Sequence, residues 1–508
     1  MRLPGTVAKA LARPLVWAVL ITLLLSVVFF DAFPYDVLAY HGPFSAVATG
    51  LPGLSHYAMS PFMEHRFQGF PPLWRWLLAP GLGLRLPRLL VLPNLLALLA
   101  LVWAARTTLR LPWAVSGAAT LLVPIALFGF RTAYQDVFVG ALSTAAALLV
   151  GHALWQWAEA GQGRRAAWQA LPLLLAIALT KYQGLFLAGL ILALAIPATL
   201  VIGARRRRAA SSLWSGPWPV LLLTLLLCGL HPLHNLLSHH NPFFPVAAGP
   251  FTGPELKGSD ESPAYTMALG PFKTFVNHWL SASEIDWIAR GVVPSYNLDQ
   301  ARAQTQYGGL VDPRALRGLV RSGGSFGPAY LASMAAYAVA SVQALRQWRR
   351  EGSPSARGWA VLAAAPVLLL AAGLPQSHEL RYYLPLLFLP ALTALGWWWE
   401  RGSRPWIQAG LLAFLSVSLV LNFTQPLYST AKGLLRGSGL SYAVHYPVRD
   451  LPSAEDCRRQ GLRLPGSADT LGLPAGQAFA CRLRLPAAVH IVETDALPAT
   501  VSEPSGQR

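Results

Sequence analysis

The sequence predicts an all-α polytopic membrane protein, and three observations carry that expectation. Of its 508 residues, 54% are hydrophobic and only 12% charged, with a mean hydropathy of +0.43; a soluble domain carries about 25% charged residues. About eleven apolar runs are free of charge apart from Arg88 at the mouth of the second: 14–30, 87–105, 113–130, 137–157, 166–180, 184–204, 212–230, 325–345, 358–375, 383–399 and 405–425. A crossing helix takes roughly 17–25 residues, so most of them are long enough. Basic residues cluster in the short connections between alternate runs.

The first run, 14–30, lacks a small-residue cleavage site before Asp31 and reads as an uncleaved signal-anchor. The segment before it holds Arg2, Lys9 and Arg13, and later connections on the same side hold Arg106 and Arg110, Arg164 and Arg165, Arg205 to Arg208, Arg346, Arg349, Arg350 and Arg357, and Arg401 and Arg404. Together these are 17 of the 40 Lys and Arg. The positive-inside rule therefore places the N-terminus in the cytoplasm, and an odd number of spans places the C-terminus outside. The net charge of +18 is accounted for by topology signals and implies no nucleic acid. Three cysteines exclude a disulfide scaffold or a zinc-ribbon array.

The external segments are taken in chain order. A first loop, about 31–86, carries Asp31, Asp36, Tyr40 and His41, then Gly69-Phe-Pro-Pro-Leu-Trp-Arg-Trp76 and an apolar run too short to span. Aromatics and arginines flanking such a run suit interfacial helices lying on the headgroups. Two tight turns follow, Phe130 to Asp136 and Thr180-Lys181-Tyr182-Gln183. A large loop, about 231–324, opens with His231, His234, His239 and His240, and a last turn runs Gln376-Ser-His378-Glu379-Leu-Arg381-Tyr-Tyr383. Residues 1–425 thus form a membrane domain. Residues 426–508 form a small external tail domain whose Pro/Ser/Thr-rich end is expected to be disordered. Cys457 and Cys481 both fall in that tail, where an oxidising compartment allows a disulfide, whereas Cys228 falls within a run.

Eleven of the twelve histidines map to the external side, and only His152 lies in a span. Asp31, Asp36, Asp136, Lys181, His378, Glu379 and Arg381 share that boundary. A transporter places ionisable residues near the midplane; here the spans are almost bare of them, so the chemistry belongs to the outer face. Asp36-Val-Leu-Ala-Tyr40-His41 resembles the acidic first-loop motif of the GT-C superfamily of integral-membrane glycosyltransferases. Tyr134-Gln135-Asp136 looks like its second acidic turn, and Thr180-Lys181-Tyr182 like its break between two short helices. Asn241-Pro-Phe-Phe-Pro245 and Arg381-Tyr-Tyr-Leu-Pro385 are similar to stretches of bacterial mannosyl- and lipid A-directed members. The likeness covers about 14–425. One departure stands out: Asp31 and Asp36 are five apart, where many members have an adjacent acid pair.

The resemblance implies transfer of a sugar, with inversion, from a polyprenyl-phosphate donor to a lipid, glycan or protein acceptor. The site would face the periplasm of a bacterial inner membrane. Such transfer needs a base for the acceptor proton and positive charge for the departing phosphate. Asp36 is the candidate base, against the alternative of a helix cap. Asp136 either orients the acceptor, shares a divalent cation with Asp36, or caps the helix that follows. Arg381, Lys181 and His378 are candidate phosphate ligands, with headgroup anchoring as the alternative for the two cations. Tyr40, His41, Tyr134, Tyr182 and Glu379 are candidate substrate contacts. The His231–His240 cluster reads as a loop edge, substrate contacts or a zinc site; no cofactor is assigned, and a divalent metal is left open. A flippase for a lipid-linked glycan, or a glycan ligase or polymerase, are the competing functions.

Overall fold

The computed structural model describes residues 37–51, 57–84, 86–121, 133–206, 214, 216–247, 250–254, 328–352, 354–374, 384–401, 454–460, 462–463, 470–474, 477–485 and 489–494. Asp31, Asp36, His378, Glu379 and Arg381 lie outside them. So do the runs 14–30 and 405–425, most of the large loop and the end of the tail.

A π-helical turn, Val37–His41, leads into α1 (Gly42–Ala48). A short strand β1 (Tyr57–Ala58), α2 (Pro61–Gly69) and α3 (Leu73–Gly83) complete the first loop. Ser60 caps α2, its side chain accepting from the Met63 amide at 3.3 Å, with Pro61 in the first turn, where its missing N–H costs nothing. α3 buries Trp74, Leu78, Gly81 and Leu82 and leaves Trp76 exposed, so one face is packed and the other open.

After a 3₁₀ turn, Pro87–Val91, come α4 (Leu92–Leu109), α5 (Trp113–Leu121), α6 (Gln135–Ala160), α7 (Arg164–Ala178), α8 (Tyr182–Arg205), α9 (Trp218–Cys228) and α10 (Leu230–His239). α11 (Pro328–Glu351), α12 (Ala356–Ala372) and α13 (Pro385–Arg401) follow. Among the described residues, four helical stretches are long and apolar enough to cross a membrane: Leu89–Leu109, Gln135–Ala160, Tyr182–Arg205 and Trp218–His239.

α6 is the axis of the bundle, packed against α4, α7, α8, α12 and α13. Its 26 residues span about 39 Å, and small side chains let its neighbours approach closely. A Cβ on Gly140 would lie 2.4 Å from Leu384 Cβ. Hydroxyls inside the apolar helices turn back on their own backbone: Ser143 donates to the Val139 carbonyl at 2.6 Å and Thr144 to that of Gly140 at 2.8 Å. The α7–α8 hairpin crosses tightly because position 184 has no side chain; a Cβ there would meet the Ile177 carbonyl at 2.2 Å.

The two ends of the bundle differ. At the C-terminal end of α6, Arg206 approaches Glu159 at 3.6 Å, and the Trp157 indole donates to the Thr199 carbonyl at 2.9 Å. At the C-terminal end of α4, Arg357 pairs with Glu400 at 3.2 Å and donates from Nε to the Leu109 carbonyl at 2.7 Å. The opposite end carries the first loop, the turn before α6 and the α7–α8 turn.

Two findings depart from expectation. The helix after α9 continues to His239, so the large loop begins near Asn241 rather than 231. Pro232 sits in the first turn of α10, where a proline removes no needed hydrogen bond. The C-terminal segment is also not all-α: it contains α14 (Ala454–Gln460), β2 (Leu462–Arg463), β3 (Thr470–Pro474), α15 (Gln477–Arg484) and β4 (His490–Thr494). The sheet order is β1-β4-β3-β2, with β1 and β3 parallel to β4. The β-branched residues Ile491, Val492 and Thr494 favour extended chain, but the edge strand comes from the first loop, a pairing that no local pattern announces.

Candidate functional site

The N-terminal end of α6 is built around Tyr134-Gln135-Asp136. Asn94 of α4, wholly buried, donates from Nδ2 to the Tyr134 carbonyl at 3.0 Å, which fixes the chain in extended form just before the helix starts. Tyr134 occupies the cap position and makes no side-chain cap bond. Asp136 lies in the first turn, so the reading that it caps a helix starting at Val137 is corrected. Its carboxylate sits at the positive end of the helix dipole and accepts from Lys181 Nζ at 2.6 Å. The pair is nearly shielded, with side chains 8% and 17% exposed. Two residues treated separately in the sequence thus form one ion pair, which partners the Lys181 charge that was assigned to phosphate.

The α7–α8 turn is tied to the first loop by its backbone, since the Leu73 amide donates to the Leu179 carbonyl at 2.8 Å. α3 therefore starts beside Lys181. His41 is buried near Trp74, ring centroids 6.3 Å apart, and Trp74 in turn lies 5.5 Å from Phe138 of α6. Burial, and then the positive charges of Lys181 and Arg66, hold the His41 imidazole well below its ordinary range, so it is neutral at physiological pH. The Tyr40 ring lies tilted against His41, centroids 4.2 Å apart, and the Arg66 guanidinium stands 5.9 Å over the Tyr40 ring. Arg66 is not singled out by the sequence, where one cation in a short segment of mixed polarity is common and uninformative.

Arg75 is a second cation, which the sequence places only as an interfacial arginine beside the apolar run. Its guanidinium lies over the rings of Phe67, at 4.4 Å, and Phe44, at 5.7 Å, and donates from Nη2 to the Phe70 carbonyl at 2.8 Å. Burial lowers its pKa to about 10, so it keeps its proton. Ser45 of α1 donates to the Arg75 carbonyl at 2.6 Å, locking α1 to α3.

Tyr182 joins this end of the bundle without facing the ion pair. Its hydroxyl bonds to the carbonyls of Gly69, at 2.8 Å, and Phe244. Asn235 Nδ2 donates to the Gly69 carbonyl at 3.0 Å and to the Tyr182 hydroxyl at 3.1 Å, and His231 Nε2 lies 2.9 Å from the same carbonyl. Gly69 is required there: a Cβ would meet the Phe244 carbonyl at 2.2 Å. Asn241 closes the adjoining loop, donating to the carbonyls of Val246 and Thr252 at 2.9 Å each. The histidine cluster is accordingly divided, with His231 on the Gly69 carbonyl and His239 stacked 3.9 Å from Phe244. Among the described residues no group of three or more His, Cys, Asp or Glu side chains converges as a metal site would.

No family model matches this chain, and neither the curated proteins nor the solved structures contain a match. Of the residues singled out in the sequence, Tyr40, His41, Tyr134, Asp136 and Lys181 meet at one end of the bundle, and Tyr182 braces it. Cys457 and Cys481 are joined in a buried disulfide with Cα atoms 5.5 Å apart. The arrangement combines one shielded carboxylate, a neutral imidazole and several fixed cations beside aromatic rings. Cations held beside aromatic rings can bind an anion through charge-assisted hydrogen bonds.

Proposed function

We propose that the chain is a membrane glycosyltransferase of about eleven spans. It would move a sugar from a polyprenyl phosphate to an acceptor hydroxyl or amine at the outer face of a bacterial inner membrane. The observation that supports this most is the convergence at one end of the bundle of Tyr40, His41, Asp136 and Lys181 with Arg66 and Arg75, drawn from the first loop and two separate turns. A net-positive, aromatic-lined end suits a phosphate bearing a sugar.

In this reading Asp36, which directly precedes the buried Val37, takes the acceptor proton. Arg381 precedes Leu384 by three residues, and Leu384 packs on Gly140, one turn from Asp136. Arg381 and Arg66 stabilise the departing phosphate, with arginine's fork suited to two oxygens. The Asp136–Lys181 pair orients the sugar through the remaining carboxylate oxygen. His41, neutral, exchanges hydrogen bonds with sugar hydroxyls. The bond that breaks joins the anomeric carbon to the phosphate oxygen, and the acceptor oxygen or nitrogen takes its place as its proton passes to Asp36.

The test is release of polyprenyl phosphate from polyprenyl-phosphate hexose or pentose by the purified protein in nanodiscs, with bacterial envelope lipids and glycans supplied as acceptor. The reading expects release that Asp36→Asn suppresses. A flippase would move the intact lipid between leaflets and release nothing, and folded wild-type protein that releases nothing from any such donor refutes the proposal.

A further inference from the structure

The first loop is held partly from outside itself. α1 has seven residues and no side-chain cap, and the π-helical turn before it has five. Segments this short do not sustain their own conformation. Besides the Ser45 bond to α3, two contacts with the C-terminal segment hold them. Phe479 of α15 is fully buried, and its ring lies where a side chain on Gly42 would go; a Cβ there would be 2.5 Å from Phe479 Cε1. Gly42 directly follows Tyr40 and His41. Further along the same loop, β1 pairs with β4 in parallel register, Tyr57 with Ile491 and Ala58 with Val492. The segment that makes both contacts is itself closed by the buried Cys457–Cys481 disulfide and by the Arg482 guanidinium donating to the Val489 carbonyl.

We propose that Phe479 is a positioning residue. Seated against Gly42, it holds Val37–Ala48, and with it Tyr40 and His41, beside the Asp136–Lys181 pair. The disulfide-closed C-terminal module is then a clamp on the substrate loop. Only the kinetic arm of the following test rests on the transferase reading.

Hydrogen–deuterium exchange in nanodiscs should show the amides of residues 44–48 exchanging about tenfold faster in Phe479→Ala, with residues 135–160 unchanged and Phe479→Leu restoring most of the protection. In turnover, a loop that is closed only a fraction of the time raises the apparent donor KM by the reciprocal of that fraction while kcat holds, because only the closed form binds. General loosening would lower kcat instead. Unchanged exchange at 44–48, or equal acceleration across 135–160, overturns the proposal. Should Phe479→Ala fail to fold, Cys457→Ser must give the same local pattern, and uniform protection there overturns it equally. If wild-type protein releases no polyprenyl phosphate, the transferase reading falls and the exchange measurement still decides the clamp.

Discussion

Replacing Lys181 by methionine keeps its length and removes its charge, leaving Asp136 8% exposed beside no counter-ion that the structure describes. At 2.6 Å and an effective dielectric of about 20, the gross attraction is roughly 6 kcal/mol, much of it cancelled by desolvation of both groups. Breaking such a pair from one side costs about 3–5 kcal/mol, because the stranded carboxylate is the larger penalty. Asp136→Asn is milder, about 1–3 kcal/mol, since the amide oxygen still accepts from the ammonium. The double variant Asp136→Asn/Lys181→Met strands no charge and is expected within about 1 kcal/mol of wild type. Reversible denaturation of the four proteins in mixed micelles measures the cycle. A coupling of about 2 kcal/mol or more is expected, and one below about 0.5 kcal/mol, the level of independent sites, refutes the buried pair. Turnover by a stable double variant then separates roles: the pair as sugar-orienting group predicts loss of transfer without loss of fold.

Asp36→Asn preserves capping and should lower transfer by about 10²–10⁴-fold with normal expression, with Asp31→Asn milder; wild-type rates in folded Asp36→Asn would remove it as the base. Arg381→Lys should weaken donor use by about 1.5–3 kcal/mol, and near-normal donor affinity would return Arg381 to headgroup anchoring. The depressed His41 pKa makes stability fall with acidity: the unfolded chain takes a proton near pH 6.5 that the folded chain refuses. The contribution is therefore full above that pH and is lost below it by about 1.4 kcal/mol per pH unit. Melting curves of His41→Gln between pH 7 and 5 should lack that slope, and an unchanged slope would assign it elsewhere. Gly69→Ala should destabilise by about 1–3 kcal/mol by forcing the Phe244 backbone away; an unchanged melting temperature would show that this junction yields freely.

The hairpin of α7 and α8 illustrates what a sequence carries by itself. Runs 166–180 and 184–204, broken at Lys181, become helices at Arg164–Ala178 and Tyr182–Arg205, because a charge between two apolar runs marks where the chain leaves the apolar interior. The same logic located the apolar stretches, set the arginine-rich connections at one end and the candidate side chains at the other, and singled out Cys457 and Cys481. Each of these is a one-dimensional property, legible in hydropathy and charge along the chain. Partners across the chain are not. Asp136 and Lys181 are 45 residues apart, Tyr182 and Gly69 are 113 apart, and β1 meets β4 from the far end of the molecule. Packing chose those pairs, through a glycine that lets one backbone reach another or an asparagine that pins a carbonyl. Arg66 and Arg75 gained meaning the same way, since a cation's role depends on the rings and charges that tertiary structure sets around it.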